Sequence, residues 1–178
     1  MKLDLSSFLS SEEQRLDFDG KLNENDTDLN LDNLNLIYPI EYSGYVHDLT
    51  GELVLSINIS YSFKAHCDRC TAEFINHRET NYEGYNFKDP SFYDENSIDE
   101  YFDINDDSID LSKIILSQVI TSIPGKNLCS DDCKGLCPHC GKNLNEGACD
   151  CEVSEETEEE KVDPRFEKLL DLFKDEEV

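Results

Sequence analysis

Eight cysteines in a chain of 178 residues, gathered in close pairs, constrain this sequence more than any other feature. They read C-x2-C at Cys67 and Cys70, then much later C-x3-C-x3-C-x2-C-x8-C-x-C through Cys129, Cys133, Cys137, Cys140, Cys149 and Cys151. Two thiolates separated by two residues can hold one ion from a tight turn whose backbone N–H groups point at the sulfurs. In Cys137-Pro138-His139-Cys140-Gly141-Lys142 the glycine after the second cysteine permits the positive φ such a turn needs. Two such pairs make a tetrahedral four-thiolate site, closed and structural, with no open position for a catalytic water. Cys137, Cys140, Cys149 and Cys151 are the first expected site for Zn2+. Cys67, Cys70, Cys129 and Cys133 are a second, which would tie a hairpin tip to the tail. Pairings could also be exchanged between the two sets, and four thiolates by ligand type also suit an iron–sulfur centre, a reading that ranks below zinc. His66 and His139 stand beside the cysteines and offer nitrogen ligands. A redox dithiol would want its C-x-x-C to open a helix after a strand, and no such helix is evident after Cys70.

What carries this segment is β-structure. Leu53, Leu55, Ile57, Ile59, Tyr61 and Phe63 alternate with Ser56, Asn58, Ser60, Ser62 and Lys64, with Val54 out of pattern. A strict period of two over this length predicts a long, half-buried antiparallel strand. Residues 38–46 alternate in the same way, Asp48-Leu49-Thr50-Gly51 supplies turn chemistry, and residues 74–85 read as a returning strand, so Cys67 and Cys70 fall at a hairpin tip. Residues 2–5 suit a short strand, residues 11–14 a helical turn, residues 23–35 a loop, and residues 89–110 an acidic loop broken by Pro90. Leu111, Ile114, Ile115, Leu116, Val119, Ile120 and Ile123 form a wide apolar stripe at helical spacing, capped by Asp110 or Ser108 and stopped by Pro124-Gly125. After an acidic linker at 152–160, Asp163-Pro164 opens a short helix with Phe166, Leu169, Leu170 and Phe173 on one side. The expected fold is α+β: an antiparallel sheet, barrel-like if it closes, with a packed helix, a Cys-rich zinc-binding segment and a short C-terminal helix. The expected division is a sheet domain at 1–128, with its helix at about 110–123, and a Cys-rich segment, linker and helix at 129–178.

Charge narrows the function. Forty-one acidic against fifteen basic side chains leave a formal net charge of -26. Phosphate contacts need Lys and Arg, so broad RNA binding is disfavoured, although Arg69, Lys64, Arg78 and Lys134 could cluster in space. A basic protein partner suits this surface better. Residues 1–5 lack a basic stretch leading into an apolar run, and no stretch is apolar enough to span a bilayer, so a soluble, cytoplasmic protein without membrane contact is expected. In a reducing cytosol, grouped cysteines are more often ligands than disulfides. Phosphate-binding Gly-rich loops, G-x-S-x-G and H-E-x-x-H are absent from the sequence. No enzyme is expected.

Several of these stretches together resemble the YceD family of large ribosomal RNA subunit accumulation proteins. The likeness lies in Cys67-Asp68-Arg69-Cys70 with Phe74, in Ile109-Asp110-Leu111 opening a helix, in Ile123-Pro124 and Leu128-Cys129, and in Asp163-Pro164-Arg165-Phe166 with Leu169 and Leu170. It is most specific in Cys133-Lys134-Gly135-Leu136-Cys137-Pro138-His139-Cys140-Gly141-Lys142-Asn143-Leu144-Asn145. The resemblance implies an accessory role in large-subunit biogenesis, supporting synthesis or accumulation of 23S ribosomal RNA by binding a ribosomal protein or an assembly intermediate. Other readings of the same residues are a zinc-stapled interaction module of another pathway, an RNA-processing enzyme or a thiol-redox enzyme.

Overall fold

The structure, a computed structural model of the chain, describes residues 1–49, 51–87 and 99–151. Among these residues seven strands and two α-helices follow in the order β1 (Lys2–Asp4), α1 (Ser6–Leu9), β2 (Arg15–Leu22), β3 (Leu36–Asp48), β4 (Glu52–His66), β5 (Glu73–Phe87), β6 (Glu100–Tyr101), β7 (Ser108–Asp110) and α2 (Leu111–Ser122). Strands β2 to β6 form one sheet in sequence order, antiparallel except for the parallel β5–β6 pair; β1 and β7 pair separately. The sheet runs in a line from β2 to β6 rather than closing on itself, so the barrel that long strands allow is not seen.

The alternation of β4 decides the layering. Leu55, Ile57 and Ile59 are fully buried, with Leu53, Tyr61 and Phe63 nearly so, while Asn58, Ser60 and Lys64 face outward. Val54, out of pattern in the sequence, lies on the outward face and is half-buried. Helix α2 covers the apolar face with Leu111, Ile115, Leu116 and Val119. Asp110 caps it by accepting a hydrogen bond from Lys113 N at 3.3 Å. Polar contacts fix its axis on the sheet: Tyr61 Oη to Ser122 Oγ at 2.8 Å, and Gln118 Nε2 donating to Thr80 Oγ1 and Asn81 O at 3.1 and 2.9 Å. Leu5 and Phe8 of the N-terminal turn complete this core.

The short strand expected at 2–5 is β1 and the loop expected at 23–35 is present, but between them the chain departs from expectation. The helical turn expected at 11–14 lies earlier, in α1, and residues 15–22 are the edge strand β2. In β2, Leu16 and Phe18 alternate with Arg15, Asp17, Asp19 and Lys21, but Gly20 interrupts the apolar series. The structure supplies the reason. A Cβ on Gly20 would stand 2.3 Å from the Tyr42 hydroxyl oxygen, so the tyrosine from β3 fills the place of the missing side chain. Residues 23–35 are loop with a 3-10 turn at Asp32–Leu34, whereas the loop expected over 89–110 contains β6 and β7. Among the described residues no helix is long and apolar enough to cross a membrane. The acidic linker and the C-terminal helix expected beyond residue 151 lie outside the described residues.

Candidate metal centres

Hairpin β4–β5 ends in Cys67-Asp68-Arg69-Cys70-Thr71-Ala72, with Cys67 N donating to Ala72 O at 2.9 Å and Thr71 N to Cys67 O at 2.8 Å. The later Cys137-Pro138-His139-Cys140-Gly141-Lys142 repeats both bonds: Cys137 N donates to Lys142 O at 2.8 Å and Gly141 N to Cys137 O at 2.9 Å. The two turns are the same knuckle. Its fifth residue takes a positive φ in each, 73° at Gly141 and 59° at Thr71. Glycine adopts this conformation freely, whereas a β-branched residue is strained there. The second knuckle could be read from its glycine, but threonine conceals the first one's turn in the sequence.

The expected partners come together in the expected sets. Sulfurs of Cys67, Cys70, Cys129 and Cys133 lie within 4.8 Å of one another, as do those of Cys137, Cys140, Cys149 and Cys151. Sulfur–sulfur separations include 3.7 Å for Cys67–Cys133, 3.6 Å for Cys70–Cys129 and 3.4 Å for Cys137–Cys149. All eight thiols are free, and a disulfide would need about 2.05 Å. A tetrahedron with Zn–S bonds of about 2.3 Å has S···S edges of about 3.8 Å, so the donor sets fit a closed four-thiolate ion site in both spacing and chemistry. His66 and His139 belong to neither quartet.

The electrostatics of each quartet is uneven. Burial pushes the Cys67 thiol up, but backbone N–H groups of Cys129, Arg69 and Cys70 outweigh it and bring the thiol to about 6. N–H groups of Cys140 and His139, with the Cys149 thiol, bring Cys137 to about 6. In the same quartets Cys129, beside Cys133 and Cys70, and Cys151, beside Cys140, are pushed up to about 12. One thiolate forms readily and its charge opposes the next. A divalent cation removes that opposition.

The tail reaches the hairpin tip through polar contacts rather than a core. Asp68 N donates to Asn127 O at 2.8 Å and Asp68 Oδ2 accepts from Asn127 N at 2.6 Å; Arg69 Nη1 donates to Cys133 O at 3.0 Å and Leu136 N to Arg69 O at 3.1 Å. The apolar support is small: Ala72, Phe74 and Leu128 around Cys67, Cys70 and Cys133. A lobe with so little apolar surface draws its folding energy from elsewhere, and bound metal is the familiar source. The redox arrangement lacks its helix, since Cys70 leads through Thr71 and Ala72 into β5.

The other conspicuous surface is the outward face of the sheet. Register sets Lys21, Glu41, Ser60 and Glu79 in one row across it, and Asp19, Ser43, Asn58 and Asn81 in the next. Asp17, Tyr45, Ser56 and Glu83 form a third. Of the cations on this face, Arg15 and Lys21 are already bound to Asp17 and Glu41 at 2.7 and 2.6 Å, and Lys64 lies further along β4. An excess of carboxylates remains.

A family model described as "Large ribosomal RNA subunit accumulation protein YceD" matches residues 55–173, more than half of the 178 residues. Proteins of Mycobacterium bovis and Mycobacterium tuberculosis, each described as uncharacterized, are 36% identical over 76 residues, which is 42% of this chain and 33% of theirs. The matched stretch thus spans a third of the length of these relatives. No solved structure matches.

Proposed function

From the premise that this chain belongs to the YceD family, we propose that it is a non-enzymatic accessory factor of large ribosomal subunit biogenesis. It supports accumulation of the large-subunit RNA by holding a basic ribosomal protein, or an assembly intermediate that presents one, in the cytoplasm. The match over residues 55–173 carries this reading. The rows of carboxylates on the outward sheet face supply the complementary charge, which steers and orders such a partner. Cys67, Cys70, Cys129 and Cys133 would hold one zinc ion, and Cys137, Cys140, Cys149 and Cys151 another. Each ion would neutralise its thiolates and fix its knuckle, and with four sulfurs on it would leave no place for a reacting water.

Capture from lysate at stepped salt, followed by co-sedimentation on sucrose gradients, tests the reading. A ribosomal protein or precursor particle should be retained at low salt and released as salt screens the contact. Reversing charge with Glu41→Lys and Glu79→Lys, both at exposed positions, should weaken retention by about tenfold or more. Retention of ribosomal material that ignores both salt and these substitutions would remove the charge argument. Recovery of none would remove the ribosomal one.

A further inference from the structure

We propose that Asn145 couples the two metal centres, so that the ion in the Cys137 quartet strengthens the hold on the ion in the Cys67 quartet. The inference rests on the two-zinc reading of those quartets and adds a positioning residue that links them. Asn145 lies in the loop between Cys140 and Cys149, inside the second quartet's own sequence. Yet its side chain turns to the first quartet: Nδ2 donates to the Cys133 sulfur at 3.3 Å. The orientation of the amide is fixed. Its Oδ1 accepts from Lys134 N at 2.8 Å, and a backbone N–H can only donate, so the NH2 group must face the sulfur. Its second donor bond goes to Asn143 Oδ1 at 2.9 Å.

The anchor of this amide belongs to the second centre. Asn145 N donates to Asn143 Oδ1, Leu144 N to Gly135 O at 2.9 Å, and Asn143 stands opposite Leu136 in a bridge directly before Cys137. Lys142 Nζ donates to Ala148 O at 2.8 Å and holds the loop's two ends together. Closing the second quartet on an ion fixes both ends of this loop, at Cys140 and Cys149. It thereby fixes the amide against Cys133. A hydrogen bond to a ligating thiolate from outside the coordination shell orients the sulfur and offsets its charge, and losing one such contact typically costs about 10–100-fold in metal affinity. Coupling of this kind is reciprocal between the sites.

The test is chelator competition on the full, reduced chain, with Zn2+ for affinity and Co2+ for the thiolate-to-metal absorption of each quartet. Asn145→Asp keeps the size of the side chain and the acceptor for Lys134 N, but replaces the donor to sulfur with an anion. It should weaken the Cys67 quartet by about 10–100-fold and shift that quartet's cobalt absorption. A merely structural role, tying the loop to Lys134 and Asn143, would leave the cobalt absorption of the Cys67 quartet unshifted in Asn145→Asp. Cys137→Ser with Cys140→Ser should remove one ion and weaken the remaining one by about tenfold, and Cys67→Ser with Cys70→Ser should weaken the other quartet by the same factor. Two ions bound with unchanged affinities in Asn145→Asp, and the one remaining ion bound with unchanged affinity in each quartet variant, would overturn this inference alone. Failure of the unaltered chain to take up Zn2+ or Co2+ would overturn the two-ion reading and this inference with it.

Discussion

The two knuckles make one turn from different residues, and the difference sits at the residue after the second cysteine. Gly141 takes φ 73° at no steric cost, and nothing lies within 4 Å of where a Cβ would be. Gly141→Val should therefore act through backbone strain alone, lowering the stability of the metal-loaded lobe by about 1–3 kcal/mol. Thr71 bears that strain already at φ 59°, partly offset by its hydroxyl donating to Cys70 O at 2.7 Å. Thr71→Gly should leave stability unchanged or raise it by up to about 1 kcal/mol. Thermal unfolding of the zinc-loaded protein checks both; equal losses would show that the two turns are not equivalent. Cysteine spacing was legible at this scale from the sequence. The shared turn was not, because threonine hides the left-handed position that glycine advertises.

At the scale of elements, the outcome turns on how tightly β3, β4 and β5 lie together. A Cβ on Gly44 would meet Ser56 O at 2.2 Å and Ile57 Cα at 3.0 Å, both backbone atoms of β4 that cannot swing aside. Gly44→Ala should force β3 and β4 apart and cost about 1–3 kcal/mol by denaturant unfolding, although alanine is the milder residue by propensity. In β5, burial and the nearby Glu100 push the Tyr82 hydroxyl up to about 12. Its ordinary value is about 10, so ionisation favours the unfolded chain between those limits. The folded state keeps this contribution below about pH 10 and loses it as pH rises toward 12. Tyr82→Phe should flatten that part of the alkaline unfolding curve, and an unaltered slope would show that the phenol is not the group responsible. Strand β4 and helix α2 were readable in advance because each shows one clean period over its length. The edge strand β2 carries the same period in Leu16, Phe18 and Leu22. Its signal failed at Gly20, where Tyr42 from β3 occupies the space and no local pattern reports it.

Across the whole molecule, two kinds of stabilisation divide the described chain. The sheet and α2 rest on a continuous apolar core from Leu5 to Val119, while the cysteine lobe has Ala72, Phe74 and Leu128 and little besides. Chelation under reducing conditions should therefore unfold the lobe first. Amide exchange protection should fall across residues 125–151 and at the tip of the β4–β5 hairpin, while the centre of β4 keeps its protection. Loss of protection throughout the sheet at the same chelator concentration would show that the ions hold up the whole fold.

By itself the sequence determined what repeats or recurs locally: the pairs of thiols, the alternation of β4, the stripe and cap of α2, and the excess of negative charge. These follow from the short-range geometry of backbone and side chain, which a window of residues contains in full. Tertiary structure alone decided that the sheet stays open, that Thr71 repeats the turn of Gly141, and that Asn145 from one quartet's loop touches a sulfur of the other. Those facts depend on the distance between atoms far apart along the chain, set by packing and hydrogen bonding after the strands have paired, and no local period encodes it.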